Sequence, residues 1–191
     1  MASRYSGTMR LRQTLPLLWL ISDRRNDAVL EPALRQLPPG SGLIFRHYHL
    51  PLAERKGRFA QLARLCRKRG HTVAIAGRNH TAKGMKAHCT YGEPALVAGP
   101  RLATAHTLKE IGRANRTGAD LVLLSPVFPT RSHPGARALG PVRFLLLARR
   151  SLAPVIALGG MDRHTARRLP GFGWAAIDGL SLDVPGARTG A

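Results

Sequence analysis

Short, continuously apolar runs recur along this chain, and segments of helical pattern separate them. Residues 15–22, 43–48, 73–77, 102–106, 121–124, 155–158 and 174–177 read as strands, and a further strand is expected near residues 89–92. A run that is apolar at every position, without the alternation of a one-faced strand, belongs to parallel sheet covered on both sides. Strands that alternate with helices build either a closed (β/α)8 barrel or an open doubly wound sheet. The open sheet lacks its main support, because no G-x-G-x-x-G follows the first run. The expected fold class is therefore α/β, a (β/α)8 TIM barrel. At 191 residues it is short, since such barrels usually run to about 250. It spans residues 15–182 and has an incomplete last helix. A basic N-terminal arm (1–14) precedes it and a tail (183–191) follows.

The helices are marked by their ends as much as by their faces. Phe59, Leu62, Ala63 and Cys66 form one apolar stripe at i, i+3, i+4, i+7 in a helix over residues 52–69, which Gly70 stops. A first helix is expected over residues 28–37. Thr107-Leu-Lys-Glu110 is a capping box that starts a helix directly after His106. Pro141 suits a first helical position, and Asp162 suits a cap. Residues 78–100 carry the weakest pattern; a short helix is expected there.

Composition narrows the function classes. The formal net charge is +20, with 30 basic against 10 acidic residues; 25 of the basic residues are Arg. Such a field attracts polyanions. The cations are spread along the chain, and aromatics make up only 5%, which is poor for stacking on bases. Phosphorylated small molecules are thus the expected partners, and nucleic acid is not. No apolar run approaches the roughly 18 residues of a membrane span, and Cys66 and Cys89 form neither a metal-ligand pair nor a disulfide scaffold. A cytoplasmic protein is expected, with a homodimer left open.

In a barrel the chemistry gathers where strands end at the C-terminal face. The strand ends here offer Asp23, Arg46 and His49, then Arg78, Asn79 and Glu93, then His106. Ser125-Pro-Val-Phe-Pro-Thr-Arg-Ser-His133 follows the sixth strand and offers Thr130, Ser132 and His133. Gly159-Gly160 follows the seventh; bare backbone there, ahead of a helix start, suits a phosphate. Asp178 and Gly179 after the eighth would complete that cup, with the Asp178 carboxylate pointing away or capping a turn. His106 is the candidate catalytic residue, because an imidazole both gives and takes a proton near neutrality.

Ala119-Asp with Ser125-Pro-Val-Phe-Pro-Thr130, together with Ile156-Ala-Leu-Gly-Gly160, Thr104-Ala-His-Thr107 and Leu20-Ile-Ser-Asp23, resembles the thiamine phosphate synthase/TenI superfamily. The segments occur in the right order over roughly residues 15–182. The resemblance implies a (β/α)8 barrel in thiamin biosynthesis. Its synthases, which are transferases, join an aminopyrimidine pyrophosphate to a thiazole phosphate and release pyrophosphate with Mg²⁺; its TenI branch is an isomerase that tautomerises a thiazole phosphate. It implies that Arg46 binds pyrophosphate and that Thr130, Ser132 and His133 contact substrate phosphates. Gly159 and Gly160 would then hold the thiazole phosphate, and His106 would act as acid/base.

Departures from the family pattern accompany the matches. Tyr48 and His133 stand where the family has lysines, and Gly77-Arg78-Asn79 replaces an Asn-Asp pair. Glu93 alone remains as a carboxylate for Mg²⁺, which usually takes one or two carboxylates plus phosphate oxygens. Arg46, Arg78 and Arg131 could supply charge in its place. The residues lean toward a TenI-like proton transfer, which needs only a phosphate grip and one proton shuttle. The alternatives are the synthase reaction and a barrel that binds phosphometabolites without chemistry.

Overall fold

Eight parallel strands pair around a complete circle: β1 (Leu18–Ile21), β2 (Gly42–Phe45), β3 (Thr72–Ala76), β4 (Cys89–Tyr91), β5 (Arg101–Ala105), β6 (Leu121–Leu124), β7 (Val155–Leu158) and β8 (Gly173–Ala176). β8 pairs with β1, with Leu18 opposite Trp174 and Leu20 opposite Ala176, and this closes the barrel and excludes the open sheet. The structure is a computed structural model and describes residues 15–77, 84–92, 99–132, 135 and 137–180. The arm over residues 1–14, the segments 78–83 and 93–98 with the short helix expected there, and the end from 181 onward lie outside the described residues.

The helices follow the capping chemistry. Five are described: α1 (Leu30–Gln36), α2 (Leu52–Lys68), α3 (Leu108–Arg116), α4 (Gly140–Ala148) and the single turn α5 (Arg163–Ala166). Both expected caps form. Thr107 Oγ1 accepts from Glu110 N while the Glu110 carboxylate accepts from Thr107 N, and Asp162 and Thr165 repeat the exchange at α5. The first helix differs from expectation. Asp23 caps a 3₁₀ turn, Arg24–Val29, because Asn26 Oδ1 accepts from Asp23 N at 2.8 Å; the α-helix proper begins at Leu30. It ends at Gln36 because Leu37 precedes a proline and must be extended.

Side chains alternate between two cores. Trp19, Ile21, Ile44, Leu102, Leu123 and Ile156 are among those that fill the barrel interior, while Leu20, Phe45, Ile75, Val122 and Leu124 pack outward under Phe59, Leu62, Ile111 and Phe144 of the helices. The interior is fitted around Trp19, which is fully buried. Its indole Nε1 donates to Pro16 O at 2.6 Å, and a Cβ on Gly42 would overlap its ring. Cys66 and Cys89 are free and buried. Burial pushes both thiols up to about 12, so they are inert packing groups. Among the described residues no helix is long and apolar enough to cross a membrane.

Two buried histidines couple the fold to pH. His71 Nε2 donates to Leu34 O, and its Nδ1 has no hydrogen-bond partner. His47 donates from Nε2 to Asp27 and accepts at Nδ1 from Ser22. Burial lowers both pKa values, so the unfolded chain binds more protons and stability falls as pH drops below the unfolded value of about 6.5. Melting temperature is expected to hold from pH 7.5 to about pH 7 and to decline below about pH 6.5 down to pH 5, and His71→Gln, which keeps a donor for Leu34 O, is expected to flatten that slope. A flat profile in the parent protein would contradict the assignment.

The interior packing yields a second expectation. Gly42→Val should cost about 1–3 kcal/mol by overpacking, read as a lower denaturant midpoint, and Trp19→Leu in the same chain should recover part of it. A wild-type midpoint for Gly42→Val would contradict this packing.

Candidate active site

At the C-terminal ends of the strands the loops enclose one cavity of about 1190 Å³. Its floor is apolar, with Leu158, Ala175 and Ile177, and its walls carry the polar strand ends. Of the described strand-end residues, Arg46, His106, Thr130, Ser132, the pair Gly159 and Gly160, and Asp178 with Gly179 line it, while Asp23 and His49 do not. Arg78, Asn79, Glu93 and His133 lie outside the described residues.

One wall of the cavity is a backbone seam. Val127 N donates to Leu158 O at 2.9 Å and Phe128 N to Gly159 O at 3.0 Å, so the loop after β6 runs against the end of β7. A side chain at position 159 would place its Cβ 2.7 Å from Pro126 Cα; one at 160 would strike Pro129 O and lie 2.8 Å from Phe128 Cβ. Gly159 and Gly160 also have φ of +91° and +63°, a region that side chains disfavour. Gly179 closes the next gap, where a Cβ would strike Met161 O. Gly159, Gly160 and Gly179 therefore share one physical demand, the close approach of three loops. The first turn of α5 is not part of an open anion site, because Asp162 already takes Thr165 N at 2.7 Å.

Opposite the seam, β2 delivers Arg46. Its backbone N–H donates to Ser22 Oγ at 2.8 Å, and its carbonyl accepts from Arg55 Nε at 3.1 Å. Arg55 is buried and also donates to Ala76 O, which clamps the ends of β2 and β3 together. The Arg46 guanidinium sits 5.7 Å over the Tyr48 ring and 3.8 Å from Asp23. Tyr91, whose phenol burial pushes up to about 12, presents a neutral hydroxyl group in the same wall.

His106 stands between the two walls. Its backbone N–H donates to Glu110 at 2.6 Å, and its ring Nδ1 lies 2.8 Å from the Ser125 carbonyl. A carbonyl only accepts, so Nδ1 carries the proton, and in an uncharged imidazole that leaves Nε2 as the acceptor. The ring is exposed to the cavity rather than sealed in the core.

The carboxylates do not make a Mg²⁺ site among the described residues. The cavity wall holds Asp162, engaged as a helix cap, and Asp178, whose Oδ2 lies 3.5 Å from Arg25 Nη1. Asp27, His47 and His49 have ligand atoms within 4.8 Å of one another. Asp27 there already accepts from Arg58 at 2.7 Å, and an imidazole-rich set is not what Mg²⁺ prefers. His49 belongs to that group, not to the cavity.

Arg25 was not among the residues expected here. Its guanidinium contacts Asp23 at 3.2 Å, Asp178 at 3.5 Å and Ser132 Oγ at 2.8 Å. Nothing local in the sequence separates it from the other arginines; only the closed ring brings positions 25, 132 and 178 together.

Comparison with known proteins agrees with the barrel fold. The profile of the thiamine monophosphate synthase family matches residues 18–180. A thiamine-phosphate synthase of Chlorobium luteolum is 28% identical over 179 residues, covering 87% of this chain and 84% of the relative. One from Pyrococcus furiosus is 30% identical over 89 residues, covering 47% of this chain and 40% of the relative. A relative from Aquifex aeolicus, 34% identical over 79 residues, is matched over 41% of this chain and 42% of its own length. The matched stretches thus span less than half of the Aquifex and Pyrococcus relatives. Among solved structures, the thiamine phosphate pyrophosphorylase from Pyrococcus furiosus superposes with a TM-score of 0.71 at 23% identity, covering 85% of each chain. At that identity the superposition speaks for the fold alone. The profile match spans nearly all of the barrel and includes both seam loops, and on it the chain belongs to the thiamine monophosphate synthase family, a family of enzymes.

Proposed function

We propose that the chain joins an aminopyrimidine pyrophosphate to a thiazole phosphate. The observation that carries this reading is the seam-walled cavity itself. Its volume of about 1190 Å³ exceeds the roughly 300–1,000 Å³ of a site for one small ligand, and its two walls differ in kind. The backbone of Gly159, Gly160, Asp178 and Gly179, with Thr130 and Ser132, suits a phosphate. The Arg46, Tyr48 and Tyr91 wall suits a second substrate carrying pyrophosphate, and Arg131 lines the same cavity from the loop after β6. The names of the relatives favour this synthase reading over the proton transfer toward which the residues alone lean.

In the reaction the thiazole nitrogen attacks the exocyclic methylene of the pyrimidine. The C–N bond forms, the C–O bond to pyrophosphate breaks, and the bonding pair leaves with the pyrophosphate. The cup holds the thiazole phosphate and aims its ring; Arg46 and Arg131 receive the charge that develops on the leaving group. Arg78 is proposed to join them. Holding both substrates in one enclosure converts a two-body encounter into a reaction within a complex. The described carboxylates of the cavity wall are engaged elsewhere, Asp162 as a helix cap and Asp178 by Arg25, and Arg46 and Arg131 are described cations of the lining suited to the leaving group's charge.

A second reading rests on His106. With Nδ1 committed to Ser125 O, Nε2 is left as a base facing the cavity, the arrangement a thiazole tautomerase needs.

The test is to incubate purified protein with both substrates and look for a product that carries both rings by mass spectrometry. Product is expected, and its rate in excess chelator is expected to stay within about tenfold of the untreated rate. No joined product would overturn the synthase reading, and abolition by chelator would overturn the arginine reading of leaving-group stabilisation. Arg46→Ala is expected to lower kcat/KM by roughly 10–100-fold, the worth of a hydrogen bond to a charged group. His106→Ala is expected to cost the synthase reaction less than about tenfold; thiazole phosphate tautomerisation by the parent protein that falls roughly 10²–10⁴-fold in His106→Ala, as for a deleted acid/base, would favour the second reading.

A further inference from the structure

Asp178 poses a problem for the phosphate cup. It stands next to Gly179 in the cavity wall, and a bare carboxylate there would repel a phosphate. Arg25 answers it. One guanidinium nitrogen lies 3.5 Å from Asp178, a second 3.2 Å from Asp23, and a third donates to Ser132 Oγ at 2.8 Å. Asp23 is shared with Arg46 at 3.8 Å. Two cations and two carboxylates thus form one neutral chain that runs from the edge of the cup, at Asp178, to Arg46 in the opposite wall. The Ser132 contact also has a direction. Arg25 follows β1 and Ser132 follows β6, three strands away around the closed ring, so this bond reaches past the loops of β7 and β8. The loop after β6 is tied on one side by the seam with Gly159 and on the other by Arg25.

We propose that Arg25 is a positioning residue for the phosphate cup: it neutralises Asp178 and pins the Thr130–Ser132 segment at the cup's edge. This rests on the reading that the cup takes a thiazole phosphate. Arg25 lies outside the cavity lining and acts through its neighbours. Its loss leaves one uncompensated negative charge in the wall, and removal of that charge should undo the damage.

The experiment is calorimetric titration of the full chain with thiazole phosphate, repeated with inorganic phosphate, beside a thermal melt of each variant. Arg25→Met is expected to weaken thiazole phosphate binding on the order of tenfold, Arg25→Lys to lose less, and Arg25→Met with Asp178→Asn to return most of the affinity. Asp178→Asn alone, which leaves Arg25 in place, is expected to tighten binding severalfold, so the proposal stays testable if Arg25→Met does not fold. Wild-type affinity in Arg25→Met would overturn it. So would a double variant as weak as Arg25→Met at an unchanged melting temperature, weaker binding by Asp178→Asn, or no affinity of the parent protein for either probe. A parent protein that binds thiazole phosphate yet forms no joined product would refute the proposed reaction and leave this inference standing.

Discussion

Backbone meeting backbone without a side chain between them is the constraint on which this site depends. The loop leaving β6 lies against the end of β7 through Val127 N to Leu158 O and Phe128 N to Gly159 O, at 2.9 and 3.0 Å. The hydrogen bonds are of ordinary length; what demands glycine is that Gly159 and Gly160 sit where a Cβ would strike Pro126, Phe128 or Pro129. The seam sets the height at which Thr130, Arg131 and Ser132 leave the barrel. From there Ser132 is within reach of Arg25, and Arg25 is within reach of Asp178. Displacing one glycine would move a phosphate wall, a cation and a carboxylate together, because they are joined through one loop.

Electrostatics then distinguishes the two sides of the cavity. The chain carries 30 basic and only 10 acidic residues, and several of the acids are committed to structure: Asp27 and Glu31 to Arg58, Glu110 and Asp162 to helix caps. A cavity in such a field draws in anions from a distance, while specificity comes from groups fixed in place. Arg46 is fixed from behind by Ser22 and Arg55. Arg55, buried and bonded to the main-chain carbonyls of Arg46 and Ala76, keeps its charge next to the aromatic faces of Phe45 and Tyr48.

Strands such as β6 and β7 were legible because their runs are apolar throughout, while the expected 43–48 run proved to be strand only to Phe45, where Arg46 ends the apolar stretch; helix starts at Thr107 and Asp162 were legible because a capping box is a local signal. Pro141 was legible as the start of α4 for the same reason. The Ser125–Thr130 and Gly159–Gly160 loops could be read as one site because both follow strands, and strands of a barrel end on the same face. What escaped reading depends on the ring rather than on the chain. The 3₁₀ turn after β1 arises from Asp23 and Asn26 bonding to each other, a choice that residues 28–37 with their helical pattern do not announce. The roles of Arg25 and Arg55 require knowing which of 25 arginines the barrel folds inward, and which distant residues it brings to meet them. Asp178 looked out of place beside a phosphate until its partner 153 positions away in sequence came into contact with it.

The most direct measurement of the central claim is a crystal structure of the chain with thiazole phosphate bound. The account predicts phosphate oxygens about 3 Å from backbone nitrogens of the Gly159–Gly160 and Asp178–Gly179 segments, with the thiazole ring extending toward His106. A phosphate seated instead on Arg46 and Tyr48, with the two glycine loops left bare, would contradict it.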